Sequence, residues 1–144
     1  AKNKGVGANV SSLQDLLGPD IRRVSIANPQ HAPYGVAAQE AITKAGIWTN
    51  LQPRLVLGEN ASQATQFVET GDAQAGIVPL SLAISLTDKL DYVLIDASQH
   101  NPLSQGTAVM KSSASPELAR AFIAFVTSPQ GKEIMKKYGF EPPL

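Results

Sequence analysis

Apolar positions along the chain switch between two spacings. Short, largely apolar runs at 23–27, 54–57, 75–79 and 92–95 are bounded by Gly, Pro, Asn and Asp and predict strands. Between them, apolar residues return every three or four positions. Ala38, Ala41, Ile42 and Ala45 follow that spacing and predict a helix over 35–45, with a small-residue stripe that can lie close against a sheet and Gly46 as its end. A second helix is predicted over 61–70, where Asn60 can cap the start, Gln63 can reach back as in a capping box, and Gly71 supplies the stop. Ser11 or Ser12 can cap a short helix through Leu16 and Leu17, closed by Gly18 and Pro19. The run 80–86 is ambiguous, and residues 1–10 lack periodicity and read as the tail of a connection entering from elsewhere.

Strands that alternate with helices argue an α/β fold with a mainly parallel sheet, because right-handed crossovers return each helix to the sheet. Ligands of such sheets sit beyond the strand C-terminal ends. Here those ends are the turns after Ala27, Leu57 and Val78, so residues 28–34, 59–61 and Pro79 are expected to converge on one edge. The tail differs in kind. A strand is predicted over 106–110, then two helices that begin at Ser115-Pro116 and Ser128-Pro129, each a cap followed by proline at the first helical position. Leu118, Phe122, Phe125 and Val126 form one apolar face and Ile134 with Tyr138 another, and these faces need a partner surface.

The 144 residues suit one ordinary domain, and 12 basic residues balance 12 acidic ones. Lys and Arg never run longer than a pair, so the basic footprint of a nucleic-acid binder is missing, and any anion must be held locally. No apolar run reaches the roughly 18 residues of a membrane span, and without cysteine there are neither disulfides nor thiolate metal sites. Catalytic motifs are also missing: there is no Gly-x-Ser-x-Gly, no His-Glu-x-x-His and no phosphate-loop lysine. His31, beside a proline turn, reads as structural or solvent-facing rather than catalytic, and His100 lies in a polar loop.

The candidate chemistry lies in Asn28-Pro29-Gln30-His31-Ala32-Pro33-Tyr34-Gly35, which joins the first strand to the first long helix. Two prolines and a glycine restrict the chain where a helix begins, and a helix start carries unpaired N–H donors at the positive end of its dipole. An oxyanion is the ligand that such a loop suits.

That stretch, followed by Gly58-Glu59-Asn60, Gln63-Ala64, Phe67-Val68-Glu69-Thr70-Gly71, Ala75-Gly76-Ile77-Val78 and Tyr138-Gly139-Phe140, resembles the periplasmic molybdate-binding proteins of molybdate ABC importers, from about Ser12 to Phe140. The resemblance implies a type II periplasmic-binding-protein fold: two lobes that close on tetrahedral molybdate or tungstate and deliver it to a membrane permease. It implies a protein that is not an enzyme, needs no cofactor or metal ion, and holds its ligand by backbone N–H groups and hydroxyls. Carried onto this chain, the contacts fall on Tyr34 and Ala61, each through its backbone N–H. Pro33 neighbours the first of these, Asn28 and Asn60 either cap turns or stand behind the ligand, and Ser62 either donates a hydroxyl or serves the cap. Where some members carry a tyrosine hydroxyl this chain has Pro79, which cannot make that contact.

The resemblance further implies a fragment that lacks most of the N-terminal lobe and its share of the donors. Residues 1–101 would be the second ligand-binding lobe, a three-layer lobe with a mainly parallel mixed sheet. Residues 102–144 would be a crossover strand and C-terminal helices that rejoin the first lobe. The expected partners are the permease and either the missing lobe or a second copy of the chain, in the periplasm. The alternatives are a receptor for another anion such as sulfate and a regulatory sensor domain.

Overall fold

The computed structural model describes residues 1–7 and 9–141. They form two compact units, Ala1–Leu103 and Ser104–Leu144. The first is built on a five-stranded mixed sheet of β1 (Lys2–Asn3), β2 (Val24–Ala27), β3 (Leu55–Gly58), β4 (Ala75–Gly76) and β5 (Leu90–Asp91). The strand order is β3-β2-β4-β1-β5. β2 runs parallel to both β3 and β4, whereas β1 pairs antiparallel with β4 and β5.

Alternation along β2 sorts the helices onto two faces. Val24 and Ile26 point into the main core with Ala38 and Ile42 of α1 (Pro33–Lys44), Leu51 of α2 (Trp48–Leu51), and Leu16 and Ile21. Ser25 and Ala27 belong to the opposite face. Ala27 meets Ala64 of α3 (Ala61–Thr70), and Val68 of the same helix approaches Gly76 so closely that a Cβ there would lie 2.6 Å from its Cγ2. Small residues on that face let α3 lie directly on the sheet.

Several expectations are met and several are corrected. Helix α1 starts two residues earlier than expected, with Pro33 at its first position. The ambiguous run is a short helix, α4 (Leu80–Ser85). Residues 1–10 were expected to be a connection, yet Lys2 and Asn3 are a strand inside the sheet. Asn3 Nδ2 also donates to the carbonyls of Val68 and Glu69 at 2.9 and 3.0 Å and so caps the end of α3. The helix near Leu16 is a 3₁₀ turn, Gln14–Leu17, and the serines do not cap it. Instead Asp15 accepts from the N–H groups of Ser11 and Ser12 at 2.9 and 2.8 Å.

The strand expected at 92–95 does not form. Pairing stops at Asp91 because β1 has only two residues to offer, and Val93 and Leu94 stand 55% and 65% exposed. β4 is likewise shorter than the apolar run that predicted it.

The second unit is a pair of packed helices, α5 (Pro116–Thr127) and α6 (Pro129–Lys137), each with proline at its first position. Ser128 caps α6 by accepting from Gly131 N–H, but Ser115 makes no such bond. Gly131 permits the tight turn between them: a Cβ there would lie 2.3 Å from the Phe125 carbonyl oxygen. The strand expected at 106–110 is absent among the described residues, where no other strand borders it. Leu118 and Phe122 of α5 are 72% and 65% exposed.

Candidate functional site

Two helices begin side by side at the C-terminal edge of the sheet. Ala27 and Gly58, the last residues of β2 and β3, are register partners in the parallel ladder, and α1 and α3 start a few residues beyond each. Three contacts tie the two turns together. Asn28 N–H donates to the Gly58 carbonyl at 2.8 Å, His31 Nε2 lies 3.0 Å from the Glu59 carbonyl oxygen, and Ala32 packs with Ala27 and Ala64.

Within the first turn, hydrogen bonds consume every N–H but one. Gln30 N–H donates to Asn28 Oδ1 at 3.0 Å, His31 and Ala32 to the Asn28 carbonyl, and Gly35 and Val36 to the Ala32 carbonyl. Pro29 and Pro33 have no N–H to place. Tyr34 N–H, at the second position of α1, is left without an acceptor among the described residues. The pattern follows from the sequence, because a proline at each end of the turn removes a donor and Asn28 folds the rest inward.

The second turn is organised by its cap. Asn60 Oδ1 accepts from Gln63 N–H at 2.9 Å, and Gln63 Oε1 reaches back to accept from Glu59 N–H at 2.7 Å, one residue before the cap where a capping box would use the N–H of Asn60 itself. The Asn60 carbonyl accepts from Ala64 N–H at 3.1 Å and so points along α3. In a trans peptide the Ala61 N–H points the opposite way, out of the helix start, and neither it nor the Ser62 N–H has an acceptor among the described residues.

The other expected residues fall as follows. Ser62 is exposed, with no hydrogen bond from its hydroxyl among the described residues. Asn28 and Asn60 spend their side-chain oxygens on their own turns. Pro33 is exposed at the first position of α1. Pro79, ending the third turn, is buried, and its carbonyl accepts from Leu82 and Ala83 at the start of α4, so that turn presents no donor from its proline.

Among the concavities of the first unit are two of about 460 and 360 Å³. Neither is lined by Tyr34 or Ala61, although His31 and Pro33 border the smaller one. Tyr34 and Ala61 are both partly exposed. Glu40, which lines the smaller concavity, accepts from Asn101 N–H and Nδ2 at 2.7 and 2.9 Å, and these bonds, the backbone one first, hold its carboxyl below the usual carboxylate range. His31 is the residue whose part at the rim sequence reasoning missed; only its position inside the turn signalled it.

Comparison with known proteins bears on what such a rim serves. The chain is 35% identical over 133 residues to the molybdate-binding protein ModA of Rhodobacter capsulatus, covering 92% of this chain and 52% of the relative. It is 31% identical over 118 residues to ModA of Escherichia coli (strain K12), covering 82% and 46%. The periplasmic molybdate-binding protein of Azotobacter vinelandii superposes with a TM-score of 0.85 at 29% identity, covering 96% of this chain and 62% of that one. The chain thus spans about half the length of the curated relatives it matches. The fold is that of a periplasmic-binding-protein lobe. Residues 1–141 match the bacterial extracellular solute-binding proteins, and the chain belongs to that family.

Proposed function

We propose that this chain is the second lobe and C-terminal segment of a periplasmic receptor that binds molybdate, and also tungstate, through backbone amides and hands it to an ABC importer permease. The observation that carries this reading is that Tyr34 N–H alone in its turn, and Ala61 N–H at the start of the helix after the paired strand, lack acceptors among the described residues. A dianion leaving water needs its lost hydrogen bonds replaced, and aligned amide dipoles do so without a fixed countercharge. The ModA relatives support molybdate as the anion. Bond length then sets selectivity, since a cage sized for molybdate's long metal–oxygen bonds fits sulfate loosely.

The partial exposure of Tyr34 and Ala61 supports a half-site. The opposing donors would come from a first lobe, and residues 102–144 would rejoin that lobe, with the apolar faces of α5 and α6 against it or against a second copy. Calorimetric titration of the full-length protein with molybdate, tungstate and sulfate tests the reading. Tight binding of the two metal oxides, with weak or no binding by the 144-residue chain alone, is expected. A wide preference for sulfate, or no oxyanion binding at all, overturns it.

A further inference from the structure

We infer that His31 is a positioning residue for the oxyanion site, a clamp that fixes the turn presenting Ala61 against the turn presenting Tyr34; this rests on the oxyanion reading above. His31 belongs to the first turn, yet its ring reaches across to the second, with Nε2 3.0 Å from the Glu59 carbonyl oxygen and 3.6 Å from Glu59 Oε2. A carbonyl oxygen only accepts, so Nε2 carries the proton and donates.

The bond acts at a decisive place. Both peptide groups of Glu59 are gripped, the one before it through its N–H by Gln63 Oε1 at 2.7 Å and the one after it through its C=O by His31. The next carbonyl, that of Asn60, is fixed by Ala64 N–H at 3.1 Å, and its orientation sets that of the Ala61 N–H. Only the His31 contact among these three comes from the other turn. Gln63 and Ala64 orient the donor relative to its own helix, whereas His31 orients it relative to Tyr34. Two donors must be fixed relative to each other to grip one tetrahedral ion, because a misplacement of about 1 Å lengthens a hydrogen bond beyond useful range. The ring is about half exposed, so the clamp contributes little to the core.

The test compares His31→Leu, His31→Gln and His31→Asn in the full-length protein. The glutamine amide can place an N–H near the position of Nε2; the shorter asparagine cannot reach it. His31→Leu and His31→Asn are expected to lower molybdate affinity roughly fivefold or more, the loss of about one hydrogen bond's worth of positioning. His31→Gln is expected to stay within about twofold of the parent, and the ligand-free unfolding midpoints of the three should differ little. Equal affinity in all three, or a glutamine variant as weak as the asparagine one, overturns the clamp. If His31→Leu fails to fold, the glutamine and asparagine pair alone decides. Backbone ¹⁵N order parameters of residues 59–62 give a reading without any anion: they should fall in His31→Asn and recover in His31→Gln, and unchanged values overturn the clamp. A parent protein that binds no molybdate would contradict the proposed function and leave the order parameters to decide the clamp by themselves.

Discussion

A Cβ built on Gly35 would lie 2.2 Å from the carbonyl oxygen of Ala27. Helix α1 is thus seated with its first turn against the end of strand β2, and only a residue without a side chain permits it. Gly35→Ala must push the helix away from the strand that carries it, at a cost of roughly 1–3 kcal/mol by urea unfolding. Thr43→Ala, on an exposed part of the same helix, should change stability by less than about 0.5 kcal/mol. Because the displaced turn is the one bearing Tyr34, the glycine variant should also lose oxyanion affinity in the full-length protein.

Asn60 and Gln63 each accept from the other's turn and should behave as a unit. Asn60→Ala removes a cap worth about 1 kcal/mol, while Asn60→Asp or Asn60→Ser should recover most of it. In thermal unfolding, the loss in the Asn60→Ala/Gln63→Ala double variant should fall short of the sum of the single losses, the sign of a shared network.

Ser25 is fully buried on the α3 side of β2, and its Oγ has no hydrogen-bond partner among the described residues. A buried hydroxyl left unpaired carries a desolvation penalty of roughly 1–3 kcal/mol that no bond offsets. Ser25→Ala is therefore expected to leave stability unchanged or raise it by up to about 1 kcal/mol in urea titration. A marked loss would mean that the hydroxyl has a partner after all.

Acid should release Asn101 from Glu40. The carboxyl is held below its ordinary value by the Asn101 N–H, then by Asn101 Nδ2, so its contribution is present above the unfolded carboxylate pKa and is lost as pH falls through the folded one. The Asn101 amide resonance should shift with an inflection below the usual glutamate range. Glu40→Gln should abolish that inflection.

The parts of the fold that were legible in the sequence are those set by local chemistry. Prolines at 116 and 129 mark the starts of α5 and α6, Gly71 in the left-handed region ends α3, and the Asn60 cap is bonded as its spacing required, whereas the start at Pro33 was placed two residues late. The failures share a cause, since a strand exists only where a neighbour pairs with it. Residues 92–95 and 106–110 have strand composition but no described partner, whereas Lys2 and Asn3, with no apolar pattern, become a central strand because β4 and β5 flank them. For the site, the turn chemistry of Asn28 to Tyr34 was readable. The cross-turn reach of His31 was not, because Glu59 lies 28 residues away and only the ladder pairing of Ala27 with Gly58 brings them together.

Ala61→Pro in the full-length protein tests the amide cage most directly. Ala61 holds the first position of α3, where proline is well accommodated, and Asn60 before it already has φ −152° and ψ 176°, an extended conformation that a following proline favours. The substitution therefore deletes one N–H and little else. Calorimetry should show molybdate affinity falling roughly tenfold or more, as expected for a charge-assisted bond of about 1.5–3 kcal/mol, with the ligand-free unfolding midpoint retained. Ala61→Gly, which keeps the N–H, should bind within about threefold of the parent. A proline variant that binds molybdate as tightly as the parent would contradict the claim that this amide holds the anion.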